Sequence, residues 1–271
     1  MMEVTPDEML CVCIARQVRD GDLWAQGINT PLVMAGLILA RLTHAPNVRF
    51  ASAIGQGITG EWAPLSVTRN EELWLGKSLM HVGFAQATAE VLPRLQPKEF
   101  FRPAQVDTLG NTNNIAIGRN WQRPRLRLPG AGGIPDVTTQ YAHVYLYVPR
   151  HAPVVFRDRV DFISGLGHVP GRPHGSGPRY LVSNLGQFDW HAGRMRLISV
   201  HPGVNREEII RKTGFHLEYA DDLQTTQPPT DEELRLLREI IDPFNVRKLE
   251  TLAGTARRML LREILSAEGA L

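Results

Sequence analysis

Hydrophobic and polar positions alternate along this chain with two periods, one helical and one extended. Thr5-Pro6-Asp7-Glu8 offers an N-cap hydroxyl, proline at N1 and glutamate at N3, and so predicts a helix over the apolar run that follows. The same grammar recurs at Thr230-Asp231-Glu232-Glu233, ahead of Leu234, Leu237 and Ile241 on one helical face. Asn205 with Glu208 opens "REEIIRKTGF", for which Gly214 is the expected C′ stop. Thr30-Pro31 starts "PLVMAGLILARL", apolar nearly all round, which predicts a deeply buried helix. Strands are predicted at "VRFASA", "NIAIG", "HVYLYVP", "RVDFI", "RYLVSN" and "MRLISV". Helical and extended patterns alternate early and strands dominate later, which points to an α/β fold: an open, mostly parallel sheet with helices on both faces. Residues 164–178, "SGLGHVPGRPHGSGP", are Gly/Pro-rich and predict a long loop of the kind that often serves as a lid. The tail from Val246 to Ala267 carries Leu249, Leu252, Leu260 and Ile264 at near-helical spacing, so a helical extension over 244–271 is expected beyond a domain over 1–243. This helix packs on its own domain or docks a partner.

Composition narrows the classes. With 271 residues, 43% of them hydrophobic, the chain can bury a substantial core. Its formal charge of +2 is spread without long like-charge runs, which argues against a nucleic-acid footprint. The start, Met1-Met2-Glu3-Val4-Thr5-Pro6-Asp7-Glu8, is acidic where a signal peptide would be basic. The most apolar run falls short of the roughly 17–25 residues a membrane span needs. A cytoplasmic protein is the expectation. Cys11 and Cys13 are too few for a four-ligand zinc site and are read as buried packing residues.

Three glycine-rich clusters bear on chemistry. Gly55-Gln56-Gly57-Ile58-Thr59-Gly60 matches G-x-G-x-x-G letter for letter. A dinucleotide turn must run into a helix and be followed about twenty residues later by an acid. Here "EWAPLSVTRNEEL" offers no clear helix, and no acid stands near Met80 to Gly83, so the nucleotide reading fails. "RPRLRLPGAGGIPD" sets Gly130, Gly132 and Gly133 in a turn where adjacent amides can aim at one oxygen, as an oxyanion hole requires. A plain turn is the alternative. "AQVDTLGNTNNIAIG" gathers Gln105, Asp107, Asn111, Asn113 and Asn114 around Gly110, either as substrate contacts or as turn-forming side chains.

Taken with "RLTHAPNVRF", "VFRDRVDFISGLGH", "YLVSNLGQFDW", "MRLISVHPGVNREEIIRKTGF" and "PTDEELRLLREIIDP", these clusters resemble the β-type subunit of family I CoA-transferases, the glutaconate CoA-transferase group. The resemblance spans roughly residues 8 to 243. It implies the open α/β fold, an α-type partner subunit that binds CoA, and an α2β2 assembly. No tightly bound cofactor is expected; coenzyme A enters as part of the substrate. In that family the strand after "THAP" ends in a glutamate that attacks the thioester. Registered from His44-Ala45-Pro46, its position here is Ala53, followed by Ile54 and Gly55. A methyl group is no nucleophile, so transfer through a glutamyl thioester is closed at that position. Ser52 and Thr59 lack an evident base. By the resemblance, Gly132 and Gly133 would polarise the thioester, and Asn29, Ser52, Ile54, Gly55, Gln56, Gln105, Asn111 and Asn113 are expected to line the substrate. Relatives without the glutamate include a steroid-ring-opening acyl-CoA hydrolase and a methylglutaconyl-CoA decarboxylase. Hydrolytic C–C cleavage is therefore expected first and decarboxylation second, against a transferase with a nucleophile from elsewhere or a non-catalytic scaffold. His168 and His174 are loop residues, with a reach over substrate open to them, and His201 is read as structural.

Overall fold

The computed structural model describes residues 3–27, 30–69, 72, 75–118, 120–172 and 174–271. Two compact units divide it, Met1–Pro97 with Pro228–Leu271, and Lys98–Gln227.

In the first unit, helices α1 (Pro6–Ala15) and α2 (Pro31–Thr43) pack against each other and are buried along most of their length. Glu8 at N3 of α1 accepts a hydrogen bond from Thr5 N at 2.9 Å, which fixes the predicted start. Gly36 of α2 permits the close approach, since a Cβ there would lie 2.6 Å from Ile14 Cγ2 and 2.7 Å from Cys11 O. Cys11 and Cys13 are both buried, as their apolar setting predicts. Strands β1 (Leu23–Ala25) and β2 (Arg49–Ser52) run parallel, with Trp24 opposite Phe50. β3 (Gly57–Thr59) returns antiparallel to β2, and β4 (Met80–His81) pairs with β3.

In the second unit, β5 (Lys98–Phe101), β10 (Val144–Val148) and β11 (Pro178–Ser183) form parallel neighbours in the order β11-β10-β5. Between β5 and β10 lie two small hairpin ladders, β6 (Gln105–Val106) with β7 (Thr112–Asn113) and β8 (Ala116–Ile117) with β9 (Leu126–Arg127), then α3 (Ile134–Gln140). The sheet continues antiparallel through β12 (Gly186–His191) and β13 (Arg194–Val200). After α4 (Arg206–Lys212) it ends on β14 (Glu218–Thr225), parallel to β13. The open α/β sheet expected from sequence is the one adopted, with antiparallel hairpins set among the parallel pairs.

Two local expectations are corrected. The segment 159–163 is not a strand, because Asp161 is drawn into side-chain bonding: its N–H donates to Gln105 Oε1 at 3.0 Å and its carboxylate accepts from Gly118 N at 2.9 Å. Gly214 is no left-handed stop. α4 ends on Thr213 in extended backbone, and Gly214 N instead donates to Phe156 O at 2.9 Å, a contact too close for any Cβ.

The chain then returns to the first unit. α5 (Asp231–Arg235) begins on the predicted capping box, with Thr230 N to Glu233 Oε2 at 2.7 Å and Glu233 N to Thr230 Oγ1 at 3.1 Å. Helical turns continue to Ile241 and resume over Val246–Glu250 before α6 (Gly254–Ala267). This C-terminal segment is tied in by charge. Glu250 Oε1 accepts from Leu32 N at 2.9 Å at the start of α2. Arg247, fully buried, pairs with Asp7 at 2.8 Å, Asp242 at 2.8 Å and Glu8 at 3.3 Å. Burial pushes the Glu8 carboxyl up, but hydrogen bonds from Arg238 and Thr5 outweigh it and hold the group down at about 2.

Candidate active site

The turn after β2 is built by the sequence "SAIGQG". β2 ends at Ser52, residues 53–56 make the turn, and β3 begins at Gly57. The strand β3 thus lies inside the G-x-G-x-x-G match and residues 61–66 after it are irregular, where a dinucleotide turn needs a helix. Ser52 Oγ accepts from Gly55 N at 2.8 Å, and Gln56 adopts a left-handed φ of 53° to close the hairpin. Ser52 is buried and bound into this turn, whereas Ile54 and Gln56 are exposed and Ala53 and Gly55 half-exposed. Ala53 thus sits at the tip of a tight hairpin rather than within the strand. Asn29 lies outside the described residues.

In the second unit the glycine turn stands at the entrance to α3. Gly130 and Gly132 take φ of 121° and 55°, conformations that side-chain-bearing residues rarely adopt. Gly130 N donates to Asn114 O at 3.0 Å, and Ile134 N closes the turn onto Ala131 O at 3.1 Å. Gly132 and Gly133 are exposed, and nothing lies within 4 Å of where a Cβ would stand on either. Both residues are reachable from solvent.

Beneath this turn the polar cluster is spent on itself. Asp107 accepts from Leu109 N, Asn111 N and Asn111 Nδ2 at 2.9–3.1 Å. Asn111 Oδ1 accepts from Gly167 N at 2.9 Å. Asn113 Nδ2 donates to Gln105 Oε1 and to Ala116 O, each at 2.7 Å. Asn114 clamps Ala104 N at 2.6 Å and Arg102 O at 3.2 Å, while its own N donates to Ser164 Oγ at 2.9 Å. Gln105, Asn111 and Asn113 are all buried. The turn-forming alternative is what these side chains do here. They hold the segment that carries Gly130, Asn114 alone of the amide side chains being half-buried.

The Gly/Pro loop is likewise pinned. His168 N donates to Leu109 O at 2.6 Å, its ring nitrogen Nε2 meets Pro178 O at 2.8 Å, and its ring stacks on Trp190. Arg172 holds Gly167 O at 2.5 Å and His174 O at 2.7 Å, and also reaches Thr138 O. His168 is therefore an anchor, not an arm over a substrate. His201 is buried between Thr226 Oγ1 at 3.0 Å and Ser183 O at 2.8 Å, in keeping with a structural role.

Relatedness decides the family. The chain is 32% identical to the B-type component of the 3-oxoadipate CoA-transferase of Pseudomonas knackmussii over 265 residues, covering 89% of this chain and 94% of that one. The chain belongs to the CoA-transferase family as a β-type subunit. It is also 31% identical to the IpdB component of the cholesterol ring-cleaving hydrolase of Mycobacterium tuberculosis, over 91% of this chain and 98% of that one. Among solved structures, the decarboxylase AibA/AibB superposes with a TM-score of 0.80 at 27% identity, across 93% of this β-type subunit and 100% of that chain. No protein-family model matches the chain. Among the described residues, no cluster of His, Cys, Asp or Glu is placed to hold a metal ion, and no helix is long and apolar enough to cross a membrane.

One feature of the β-type subunit has no motif to announce it. Beside Gly130 opens a cleft of about 580 Å³ with Arg102, Asn114 and Arg150 in its lining and Leu128, Val148 and Val154 along its walls. Arg102 follows β5 directly and Arg150 follows β10 by two residues; these strands are parallel neighbours, with Phe101 opposite Leu146. The only signal in the sequence is a basic residue just past each of two apolar strands, the end at which open parallel sheets bind ligands.

Proposed function

We propose that this β-type subunit works with an α-type partner on an acyl-CoA thioester, without a covalent acyl-enzyme, by hydrolytic C–C cleavage first and decarboxylation second. The observation that carries the reading is Ala53, a methyl group at the position where the family resemblance places the attacking carboxylate. The exposed turn of Gly132 and Gly133 supports it, because by the family resemblance its amides would hold a developing thioester oxyanion. The ring-cleaving hydrolase and decarboxylase among the relatives support it as well.

Both reactions converge on one enolate. In cleavage, a carboxylate of the α-type partner takes a proton from water, and the hydroxyl oxygen adds to a carbonyl carbon of the acyl group. The bond from that carbon to the carbon α to the thioester then breaks, and a carboxylic acid is left on the attacked side. The electron pair passes into the thioester carbonyl, where the Gly132 and Gly133 amides stabilise the oxygen. The α-carbon finally recovers the proton. In decarboxylation carbon dioxide departs instead, and the same enolate is protonated. Coenzyme A is carried through as part of the substrate, and the assembly is α2β2. Gln105, Asn111 and Asn113 act at one remove, by holding the turn.

The test is to co-express the subunit with its α-type partner and follow CoA esters by mass spectrometry. Cleaved or decarboxylated products, with no borohydride-sensitive intermediate, are expected. CoA passing between two acids through a borohydride-sensitive step would overturn the reading. A second reading, true transfer with a nucleophile from elsewhere, is favoured by the 32% identity to a transferase component. Ala53→Glu separates the two. Under the non-covalent reading the substitution introduces borohydride-sensitive CoA exchange absent from the wild type. A wild type that exchanges CoA as fast as the variant supports transfer.

A further inference from the structure

We propose that Arg172, in the Gly/Pro loop, is a positioning residue: it clamps helix α3 to that loop and so holds the Gly132–Gly133 turn in the pose a thioester oxygen requires. The inference rests on the acyl-CoA reading above and adds to it a residue, outside the turn, on which the turn depends. α3 has little else to fix it. It is seven residues long, too short to be stable by itself, and Thr138 is its one buried residue. Its pose leans on polar ties more than on apolar packing. Two of these ties meet at Thr138. Leu166 N donates to Thr138 Oγ1 at 3.0 Å, and Arg172 Nη2 donates to Thr138 O, a last-turn carbonyl of the helix. Arg172 Nη1 donates to Gly167 O at 2.5 Å and Nε to His174 O at 2.7 Å, so one rigid guanidinium joins the helix to the loop on either side of the arginine. The loop end of this clamp is itself fixed. Gly167 N donates to Asn111 Oδ1 at 2.9 Å, and Gly165 and Thr112 exchange backbone hydrogen bonds at 2.9 and 3.1 Å. Gly165 also lets the loop close on α3, since a Cβ there would stand 2.8 Å from Ile134 Cγ2. From Thr138 the path to the glycines is one helical turn long. Thr138 Oγ1 donates to Ile134 O at 2.7 Å, Val137 N to Gly133 O at 3.0 Å, and Ile134 N to Ala131 O at 3.1 Å. A tilt of α3 is thus a tilt of the Gly132 and Gly133 peptides. Groups that meet a developing charge must be held to within about 0.5 Å, and a misplacement of about 1 Å can cost about 10²-fold in rate.

The experiment compares wild type, Arg172→Gln and Arg172→Lys in the complex with the α-type partner, on the CoA ester that the mass-spectrometric screen above finds to be turned over. Rates are taken per assembled complex, and hydrogen exchange is followed over residues 130–140. Loss of the clamp should lower kcat by about 10–10²-fold and leave KM within about twofold, because the turn serves the transition state. Exchange should quicken across 130–140. Arg172→Lys keeps the charge without the fork and should recover part of kcat, and it carries the test if Arg172→Gln does not assemble. A double substitution with Gly132→Val separates positioning from plain support. If the arginine acts through the turn, replacing it in Gly132→Val costs little further kcat, whereas independent effects multiply. Independent effects, or a rise in KM alone, overturn the positioning role. So does wild-type kcat in both Arg172 variants while Gly132→Val is slowed, and the acyl-CoA reading then stands. If the wild type turns over no CoA ester, or Gly132→Val keeps full activity, the reading of the turn falls and the role of Arg172 falls with it.

Discussion

Two adjacent glycines make different demands on the backbone. Gly132 holds φ at 55°, a conformation that crowds any Cβ against its own backbone and is worst for a β-branched residue, whereas Gly133 lies at −81°, open to ordinary residues. Neither position is packed, since no atom lies within 4 Å of either prospective Cβ. A substitution at Gly132 should therefore disturb the direction of the amides and leave the core alone. Gly132→Val is expected to cost about 10²–10³ in kcat, the scale of losing one oxyanion donor, together with about 1–3 kcal/mol of stability from the strained φ. Gly133→Ala should keep activity within about tenfold. Steady-state kinetics on the assembled enzyme decide the matter; full activity in Gly132→Val would remove the oxyanion role. The flanking cluster shows the opposite economy. Asn113 looks like a ligand contact from its place in "NTNN", yet its amide is consumed by Gln105, Ile115 and Ala116. Sequence names a polar side chain without disclosing whether the backbone has already claimed it.

At the level of elements, legibility follows burial. "PLVMAGLILARL", "HVYLYVP", "RYLVSN" and "MRLISV" are readable because helix or strand covered on most sides must be apolar nearly throughout, and α2 and β10 are buried accordingly. "EYADDLQT" gives no such signal, because β14 is an edge strand whose residues are mostly exposed. "RVDFI" misleads in the other direction, its alternation overridden by the Asp161 bonds to Gln105 and Gly118. The Arg102–Arg150 cleft is illegible for a third reason: it depends on β5 and β10 becoming neighbours, which no local pattern encodes. Gly36 shows how much one packed element depends on another. Placed in an all-apolar helix it reads as a mere weak point in propensity, yet it is where α2 meets Ile14 and Cys11 of α1. Gly36→Ala ordinarily improves a helix by up to about 1 kcal/mol. Here the added methyl would press on the Cys11 carbonyl, which is backbone and cannot swing aside, so a net destabilisation of about 1–3 kcal/mol is expected. Chemical denaturation measures it, and a stabilised variant would show that the two helices separate freely.

Across the whole molecule, buried ionisable groups set opposing slopes of stability with pH. His151 is buried between Ser183 Oγ and Thr213 Oγ1, each at 3.0 Å, and stacks on Phe156. Burial lowers its pKa to about 3, and lowers that of His201 to about 4. Both histidines are neutral in the fold, so their contribution is intact above the unfolded value near 6.5 and is lost as pH falls below it, when only the unfolded chain takes up protons. At pH 5 that costs about 2 kcal/mol for each histidine relative to pH 8. Glu99 acts the other way. Burial raises its carboxyl to about 8, so it stays protonated in the fold while the unfolded chain ionises above pH 4.5, and stability drains as pH rises toward 8. Glu99→Gln, which keeps a neutral polar group of similar shape, should therefore stabilise the chain, with a gain that grows by about 1.4 kcal/mol per pH unit between pH 5.5 and 7.5. His151→Gln should show the reverse differential, losing less than the wild type as pH falls from 7.5 to 5. Denaturation midpoints of the three proteins across that range test both slopes. A Glu99→Gln difference that stays flat with pH would mean the carboxyl is already ionised within the fold, which would require a cationic or hydrogen-bonding partner for it.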